Sequence, residues 1–265
     1  MMDKMIFGRY VPADSLLHRL DPRSKLLIVF LFVCIVFIAN NAITYGILLL
    51  YTIFMIMQSK VPVRFILLGL IPVIWLVIFT LLIHFLFTRE GDIVIDWGII
   101  KIYEEGIRQG LFISTRFFLL ILLTSLLTLT TTPIEITDGI EYLLAPLKKV
   151  KFPVHELALM MSISLRFIPT LMQETDIIMK AQTARGVDFS SGPVKDRLKA
   201  IIPLLIPLFI SSFKRAEELA VAMEARGYRG GEGRTKYRQL NWTFADTAML
   251  LLLAVVTVLL IIFRT

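Results

Sequence analysis

Ala181-Gln182-Thr183-Ala184-Arg185-Gly186 and Ala222-Met223-Glu224-Ala225-Arg226-Gly227 are two copies of one pattern, Ala-x-x-Ala-Arg-Gly, set 41 residues apart. Each copy closes a segment whose apolar residues recur at the three- and four-residue spacing of a helix face. The first segment follows Pro153, a residue suited to a first helical position, and runs through Leu157, Met160, Met161, Ser164, Leu165, Ile168, Leu171 and Met172. The second opens at Gly192-Pro193 and carries Leu198, Ile201, Ile202, Leu205, Phe209, Phe213, Leu219 and Met223. Each predicts a helix of roughly 33 residues, about 50 Å long at 1.5 Å per residue. That exceeds the thickness of a bilayer core.

Arg-Gly at a helix end has a plain explanation, because a cation in the last turn complements the helix dipole and glycine accepts the left-handed conformation that stops the helix. Capping alone does not require the same residues at four matched positions twice, each set closing a long helix. Ala181, Ala184 and Gly186, like Ala222, Ala225 and Gly227, clear the surface around the tip. A guanidinium so placed can enter a partner's groove and meet carboxylates with its planar fork of donors. Two tips imply two sockets.

The composition places these helices in a membrane protein. Hydrophobic residues make up 57% of the 265 and charged ones 18%, and the mean hydropathy is +0.77. This is not a soluble globular composition. The formal charge of +7 is explained by lysine and arginine collecting in segments held on the cytoplasmic side; no aromatic-basic ribbon marks a nucleic-acid surface, so none is expected as partner. Cys34, the single cysteine, lies in an apolar run and has no internal partner for a disulfide. The first apolar run begins at Leu26 behind a charged leader without a small-residue cleavage site, which argues against a cleavable signal.

In chain order, residues 1–25 carry five basic against three acidic side chains, predicting a cytoplasmic N-terminus. Leu26–Ala39 and Ala42–Met57 read as a compact apolar hairpin joined by Asn40-Asn41. Phe65–Phe87 is a span with a candidate kink at Pro72. The connection Arg89–Arg108 is net acidic and expected outside, with Ile93–Trp97 and Ile99–Tyr103 pairing as a small hairpin across Gly98. Leu111–Thr130 is the next span; Arg116 within it needs a polar partner or must snorkel, and its place near the outer end makes snorkelling the expectation. The hydroxyls of Thr124, Ser125, Thr128 and Thr130 are expected to bond their own helix rather than mark a solute path.

Thr132-Pro133-Ile134-Glu135 has the pattern of a capping box. The helix it starts is amphipathic, with Ile136, Ile140, Leu143, Leu144 and Leu147 on one face, and is expected to lie at the interface. In the two long segments the uninterrupted apolar runs, Leu157–Leu165 and Ala200–Phe213, are short for a span, so these helices are expected at the interface or against partners. Ala245–Phe263 is the last span. Five crossings from an inside start put the C-terminus outside.

Several chemistries lack their residues. Gly227–Thr235 is glycine-rich but has neither the spacing nor the lysine of a phosphate-binding loop. His18, His84 and His155 have no metal-ligand spacing, so no metal site is expected. Glu104-Glu105-Gly106-Ile107-Arg108 resembles an intramembrane-protease motif only loosely and stands in the external loop.

A pair of Ala-Arg-Gly motifs ending long helices resembles the transmembrane T component of energy-coupling-factor (ECF) transporters, the EcfT/CbiQ group. The likeness extends to Gly8-Arg9-Tyr10 and to Asp14–Leu26, which is similar to that family's opening signature. The resemblance implies that Ala184-Arg185-Gly186 and Ala225-Arg226-Gly227 each dock one of two ABC ATPase subunits. It implies no cofactor on this chain, with ATP and magnesium on the ATPases. It also implies that the apolar faces, including Leu157, Met160, Met161, Ser164, Leu165, Ile168, Ile202, Leu205 and Phe209, meet a membrane-embedded substrate-binding S component for a vitamin or metal ion. The chain itself is then non-catalytic.

The expected fold is all-α: a polytopic protein of the bacterial cell membrane with about five transmembrane helices and a cytoplasmic module of one amphipathic and two long coupling helices. Its divisions are a cytoplasmic segment at 1–25, four spans within 26–131, the module at 132–242 and the last span at 243–265. The competing reading is an independent carrier or membrane enzyme in which Arg116 and Arg166 line a polar cavity and the repeated tips are ordinary helix ends.

Overall fold

The computed structural model describes residues 10–97, 100–189, 193–230 and 239–264. The chain divides into two compact units, Met1–Leu143 with Arg238–Thr265, and Leu144–Tyr237. The first contains α1 (Leu16–Arg19), α2 (Pro22–Val36), α3 (Ala42–Ser59), α4 (Val63–Phe87), β1 (Ile93–Trp97), β2 (Ile100–Tyr103), α5 (Glu104–Thr130), α6 (Pro133–Leu143) and α9 (Phe244–Ile262). The second holds a 3₁₀ turn, Ala145–Val150, then α7 (Val154–Ala184) and α8 (Val194–Ala225). The protein is all-α apart from the short β1–β2 hairpin.

Among the described residues, α3, α5, α7 and α9 are long and apolar enough to cross a bilayer, and α4 is a fifth such element bent by 51° between Val63–Ile71 and Val73–Phe87. Pro72 stands at the bend, where it supplies no N–H for the carbonyl four residues back. The number of five agrees with the sequence reading, but its membership differs. α2 has 15 residues, about 22 Å of helix against a hydrocarbon core of about 30 Å. α7, judged short by the apolar run before Arg166, passes because its helix continues through that arginine and Pro169 to Ala184.

The core of the first unit gathers α2, α3, α5 and α9 around Phe32, Leu48, Leu123 and Leu253, all fully buried. Ile66 and Leu70 of α4 join Leu122 and Leu129 of α5 in a second cluster. The outward faces remain apolar: Phe30, Leu50, Trp75 and Leu251 are exposed, as suits helices solvated by lipid. The hydroxyls of Thr124 and Thr130 donate to Leu120 and Leu126 at 2.8 Å, and that of Thr128 to Ser125, so they serve their own helix as expected.

α5 begins at Glu104, earlier than Leu111, with Glu104 and Glu105 in its first turn facing the positive end of the dipole. Its first turns lie close against α4 because Gly106 and Gly110 form a Gly-x-x-x-Gly face. A Cβ at Gly106 would stand 2.9 Å from the His84 carbonyl oxygen, and one at Gly110 would stand 3.2 Å from the His84 Cβ. We expect Gly106→Leu to force these helices apart and lower stability by about 1–3 kcal/mol. A thermal melt in detergent unchanged from wild type would show that the close approach is dispensable.

β1 and β2 pair antiparallel, with Ile93 opposite Tyr103 and Trp97 opposite Ile100. This is the hairpin read from the sequence; Gly98 and Ile99 lie outside the described residues. The capping box at α6 also forms: Glu135 N–H donates to Thr132 Oγ1 at 3.3 Å and Thr132 N–H to Glu135 Oε2 at 2.9 Å. The fully buried residues of α6 are Thr137, Gly139 and Glu141, which do not share one face. Gly139 approaches Pro22 and Leu26 of α2 so closely that a Cβ would meet Leu26 Cδ1 at 2.8 Å. Ile136 and Ile140 are half-buried, and the close approach to α2 is made at Gly139.

A buried polar hub fastens the two ends of this unit. The Asp246 carboxylate, fully buried in the first turn of α9, accepts from the Asp21 N–H at 2.8 Å, the Ser24 hydroxyl at 2.5 Å, and the Thr243 N–H at 2.7 Å and hydroxyl at 2.6 Å. Asp21 caps α2 and holds Arg23 by a forked pair, Nη2 to Oδ2 at 2.8 Å and Nε to Oδ1 at 3.0 Å. The Arg23 guanidinium also donates to the Leu240 carbonyl at 3.0 Å and lies 4.0 Å from the Tyr142 ring centroid. Lys25, just ahead of the apolar run, donates to the carbonyls of Thr130 at 3.0 Å and His18 at 3.3 Å. Burial pushes its ammonium down to about 8, opposed by the carboxylates of Glu135, Asp246 and Asp21.

Arg116 does not simply snorkel. Its Nη2 donates to the Ala39 carbonyl at 3.4 Å, and its guanidinium lies 5.2 Å from the Phe37 ring centroid, at the turn that ends α2. The negative end of the α2 dipole and that orphan carbonyl supply the polar partner. The same turn holds the end of α9, since Asn41 Nδ2 donates to the Phe263 carbonyl at 2.7 Å.

Candidate functional site

α7 and α8 have 31 and 32 residues, each about 47 Å long. They run antiparallel. The Arg215 guanidinium of α8 lies 5.7 Å from the Phe167 ring of α7 and pairs with Glu174, whose other oxygen accepts from the Ser211 hydroxyl at 3.1 Å. Further along, Gln182 Nε2 donates to the Pro203 carbonyl at 3.4 Å. That carbonyl is open because Pro207, four residues on, has no N–H to give it. The prolines therefore expose a backbone acceptor inside α8, and α7 fills it.

Both helices end in the same hydrogen-bond pattern. At the first end Gly186 N–H donates to Thr183 at 2.9 Å and Val187 N–H to Gln182 at 3.0 Å; at the second, Gly227 donates to Glu224 at 2.9 Å and Tyr228 to Met223 at 3.0 Å. These are two Schellman motifs. Gly186 at φ +89° and Gly227 at φ +75° take the left-handed step, and the preceding arginine is the C-cap in each case. The repeated sequence is a repeated backbone geometry.

Ala184, Arg185, Gly186, Ala225, Arg226 and Gly227 are all exposed, and no heavy atom lies within 4 Å of where a Cβ on either glycine would stand. Among the described residues neither arginine side chain has a carboxylate or other hydrogen-bond partner. Arg185 follows the Gln182–Pro203 contact by one turn, whereas Arg226 is 23 residues beyond Pro203, about 35 Å further along α8. The tips therefore stand at opposite ends of one clasped pair.

The residues read as a second, apolar surface are placed as follows. Leu157, Met160, Met161, Ser164, Ile202, Leu205 and Phe209 are exposed, while Leu165 and Ile168 are half-buried. Ile201, Ile206, Ile210 and Phe213 are exposed as well, so at 100° per residue the uncovered apolar surface spans about half the circumference of α8. Ser164 donates to the Met160 carbonyl at 2.7 Å and is occupied within its own helix. No group of three His, Cys, Asp or Glu side chains that could hold a metal ion occurs among the described residues. His18 is fixed between the Ser15 hydroxyl at 2.6 Å and the Val11 carbonyl at 2.9 Å.

The fold is that of an all-α polytopic membrane protein in which one compact unit presents two matched arginine ends from a pair of long helices. Residues 13–237 match the family described as CbiQ, cobalt transport protein. The chain is 67% identical over 264 residues to the energy-coupling factor transporter transmembrane protein EcfT of Bacillus subtilis, with the whole of both chains covered. It is 57% identical over 265 residues to the protein of that name from Listeria innocua, again over both full lengths, and 51% identical over 262 residues to the one from Streptococcus thermophilus, covering 99% of this chain and 98% of that one. The chain belongs to the CbiQ/EcfT family, the transmembrane components of energy-coupling-factor transporters.

The sequence reading missed the Asp21–Arg23–Ser24–Asp246 hub. Its local signals were present, since Asp21 precedes Pro22 as an N-cap does and Thr243 with Asp246 has capping-box spacing. Nothing local joins residues 225 apart. Arg166, which the competing reading placed with Arg116 in a polar cavity, instead lines a cleft of the second unit beside Arg226. Arg116 is already engaged by the end of α2.

Proposed function

We propose that this chain is the coupling subunit of an ATP-driven importer, in which Arg185 and Arg226 each dock one ABC ATPase subunit. ATP-driven closure of the two ATPases moves both sockets, and the α7–α8 pair carries that motion to a membrane-embedded S component. That component binds a vitamin or metal ion and releases it inside. ATP and magnesium are held and used on the ATPases, not on this chain. The exposed apolar faces of α7 and α8 are the surface offered to the S component, and the two arginine ends face the cytoplasmic side of a bacterial cell membrane.

One observation carries the reading: two exposed guanidiniums without partners stand on identical Schellman ends at opposite ends of a clasped pair. A structural cation at a helix end is ordinarily satisfied by its own last carbonyls or a nearby carboxylate, and these two are not. The test is a pull-down of the tagged protein in mild detergent, with identification of what comes along and an ATPase assay of the eluate. Two ATPase chains and a small hydrophobic binding protein are expected. A protein that elutes alone and transports or catalyses by itself overturns the reading.

Coupling further requires the pair to move as one body, which the Glu174 clasp secures. Glu174→Ala removes the acceptor for both Arg215 and Ser211. Because the clasp is partly solvated, the stability loss is expected at only about 1 kcal/mol. Substrate uptake per ATP hydrolysed should fall several-fold in proteoliposomes while ATPase capture persists. Unchanged coupling would show that the clasp has no part in transmission.

A further inference from the structure

Each six-residue copy has one residue that is not exposed, and it holds the same place in both. Gln182 and Met223, second in their copies, are half-buried, while the other residues of each copy are exposed. Their backbone roles match as well, since the carbonyl of each accepts the N–H two places beyond its arginine, from Val187 at 3.0 Å and from Tyr228 at 3.0 Å. The main chain of this residue closes the helix end, and its side chain is left to reach sideways. Both side chains go to the opposite helix. Gln182 Nε2 donates to the Pro203 carbonyl of α8 at 3.4 Å, and Met223 lines a cleft with Ile163 and Phe167 of α7.

The acceptor that Gln182 finds is a special one. Inside an α-helix a carbonyl is taken by the N–H four residues on, and at that place in α8 stands Pro207. The bond is also the last one described from α7 to α8 before Arg185, because the Glu174 clasp lies earlier in the helix. We infer that Gln182 is the positioning residue of the Arg185 tip: its amide, held by the carbonyl that Pro207 leaves open, fixes where the end of α7 stands on α8 and so where the guanidinium is presented. Gln182 acts through Arg185 and does not itself meet the ATPase. This rests on the docking reading above and adds to it that α8 sets the place of the tip before an ATPase binds, which lowers the ordering cost of docking.

The experiment uses the full chain in detergent, alone and with the ATPases that copurify with it. Cys34→Ser removes the native thiol, and spin labels are attached through Thr183→Cys and Ile201→Cys, both exposed positions. With Gln182 in place, one narrow distribution of label distances is expected. Gln182→Glu keeps the size of the side chain but has no N–H to give. It should broaden that distribution and weaken ATPase capture about fivefold, as loss of preorganisation does. Gln182→Lys restores a donor and should recover both. Pro207→Ala supplies the missing N–H within α8 and should reproduce the broadening, and adding Gln182→Glu to it should change nothing further.

A distribution in Gln182→Glu as narrow as before overturns the inference and leaves docking in place, even if the melting temperature falls, since the role would then be structural only. Broadening with capture unchanged also overturns it, because the bond would order the helix end without serving Arg185. So do additive effects of Gln182→Glu and Pro207→Ala, which would show that the two changes act on different contacts. Failure of the protein with native Gln182 to capture any ATPase removes the docking reading instead, and the inference with it.

Discussion

The Arg185→Glu, Arg226→Glu double variant is expected to remain folded in the membrane and to copurify with no ATPase. Both side chains are exposed and without partners among the described residues, so the reversal removes no contact that the chain makes with itself. The only internal cost is a carboxylate at each helix C-terminus, about 0.3–1 kcal/mol per site from the dipole. At an interface the balance is different. Truncating one partner of a buried, hydrogen-bonded charge pair costs about 2–5 kcal/mol, and reversal adds repulsion between carboxylates. Lost at both tips, even the lower figure weakens assembly by roughly three orders of magnitude. The measurement is ATPase recovered per mole of tagged protein, beside a melting curve of the protein alone. Normal recovery with an unchanged melt would contradict docking through these arginines.

Asp246→Ala is expected to produce the opposite pattern, a protein that fails before any partner is offered. The carboxylate is fully buried and satisfies two backbone N–H groups and two hydroxyls, drawn from the cap and first turn of α2 and from the start of α9. Alanine leaves those donors buried without acceptors, and each such group costs about 1–3 kcal/mol. The hub also contains Arg23 and Lys25, whose charges Asp21 and Asp246 help to balance. We expect a loss of about 3–5 kcal/mol, the range for breaking a buried ionic network, seen as a large drop in melting temperature and in yield from the membrane. Asp246→Asn keeps one oxygen for Asp21 and Ser24 but turns donors toward Thr243, and should fall between. A melting temperature for Asp246→Ala within a degree or so of wild type would show that the ends of the first unit are held by apolar packing alone.

These two variants separate what each unit contributes. The first unit buries Asp21, Arg23, Lys25 and Asp246 in a hub that joins segments far apart in sequence. The second keeps its defining charges outward and unsatisfied.

The matched ends of α7 and α8 were legible because every bond that makes them lies within six residues: glycine at a left-handed φ, carbonyls three and five positions back, arginine as the cap. Hairpin β1–β2, the capping box at Thr132 and the bend at Pro72 were legible for the same reason. The Gly106–Gly110 face was equally local and was passed over, since its spacing was present and only its partner helix was unknown. The packing of α6 on α2 at Gly139 was not legible, because amphipathicity names the face that avoids water and not the point a neighbouring helix can approach most closely.

By itself the sequence determined a membrane protein of about five apolar spans, two long helices and their identical arginine ends, since composition, periodicity and capping act over a few residues. Only the tertiary structure decided that Asp246 answers Asp21, that Arg116 is held by the Ala39 carbonyl, that Gln182 fills the acceptor opened by Pro207, and that Arg166 stands beside Arg226. Each of these joins groups brought together by helix packing, where a polar atom's partner is set by what else is buried nearby and not by its neighbours along the chain.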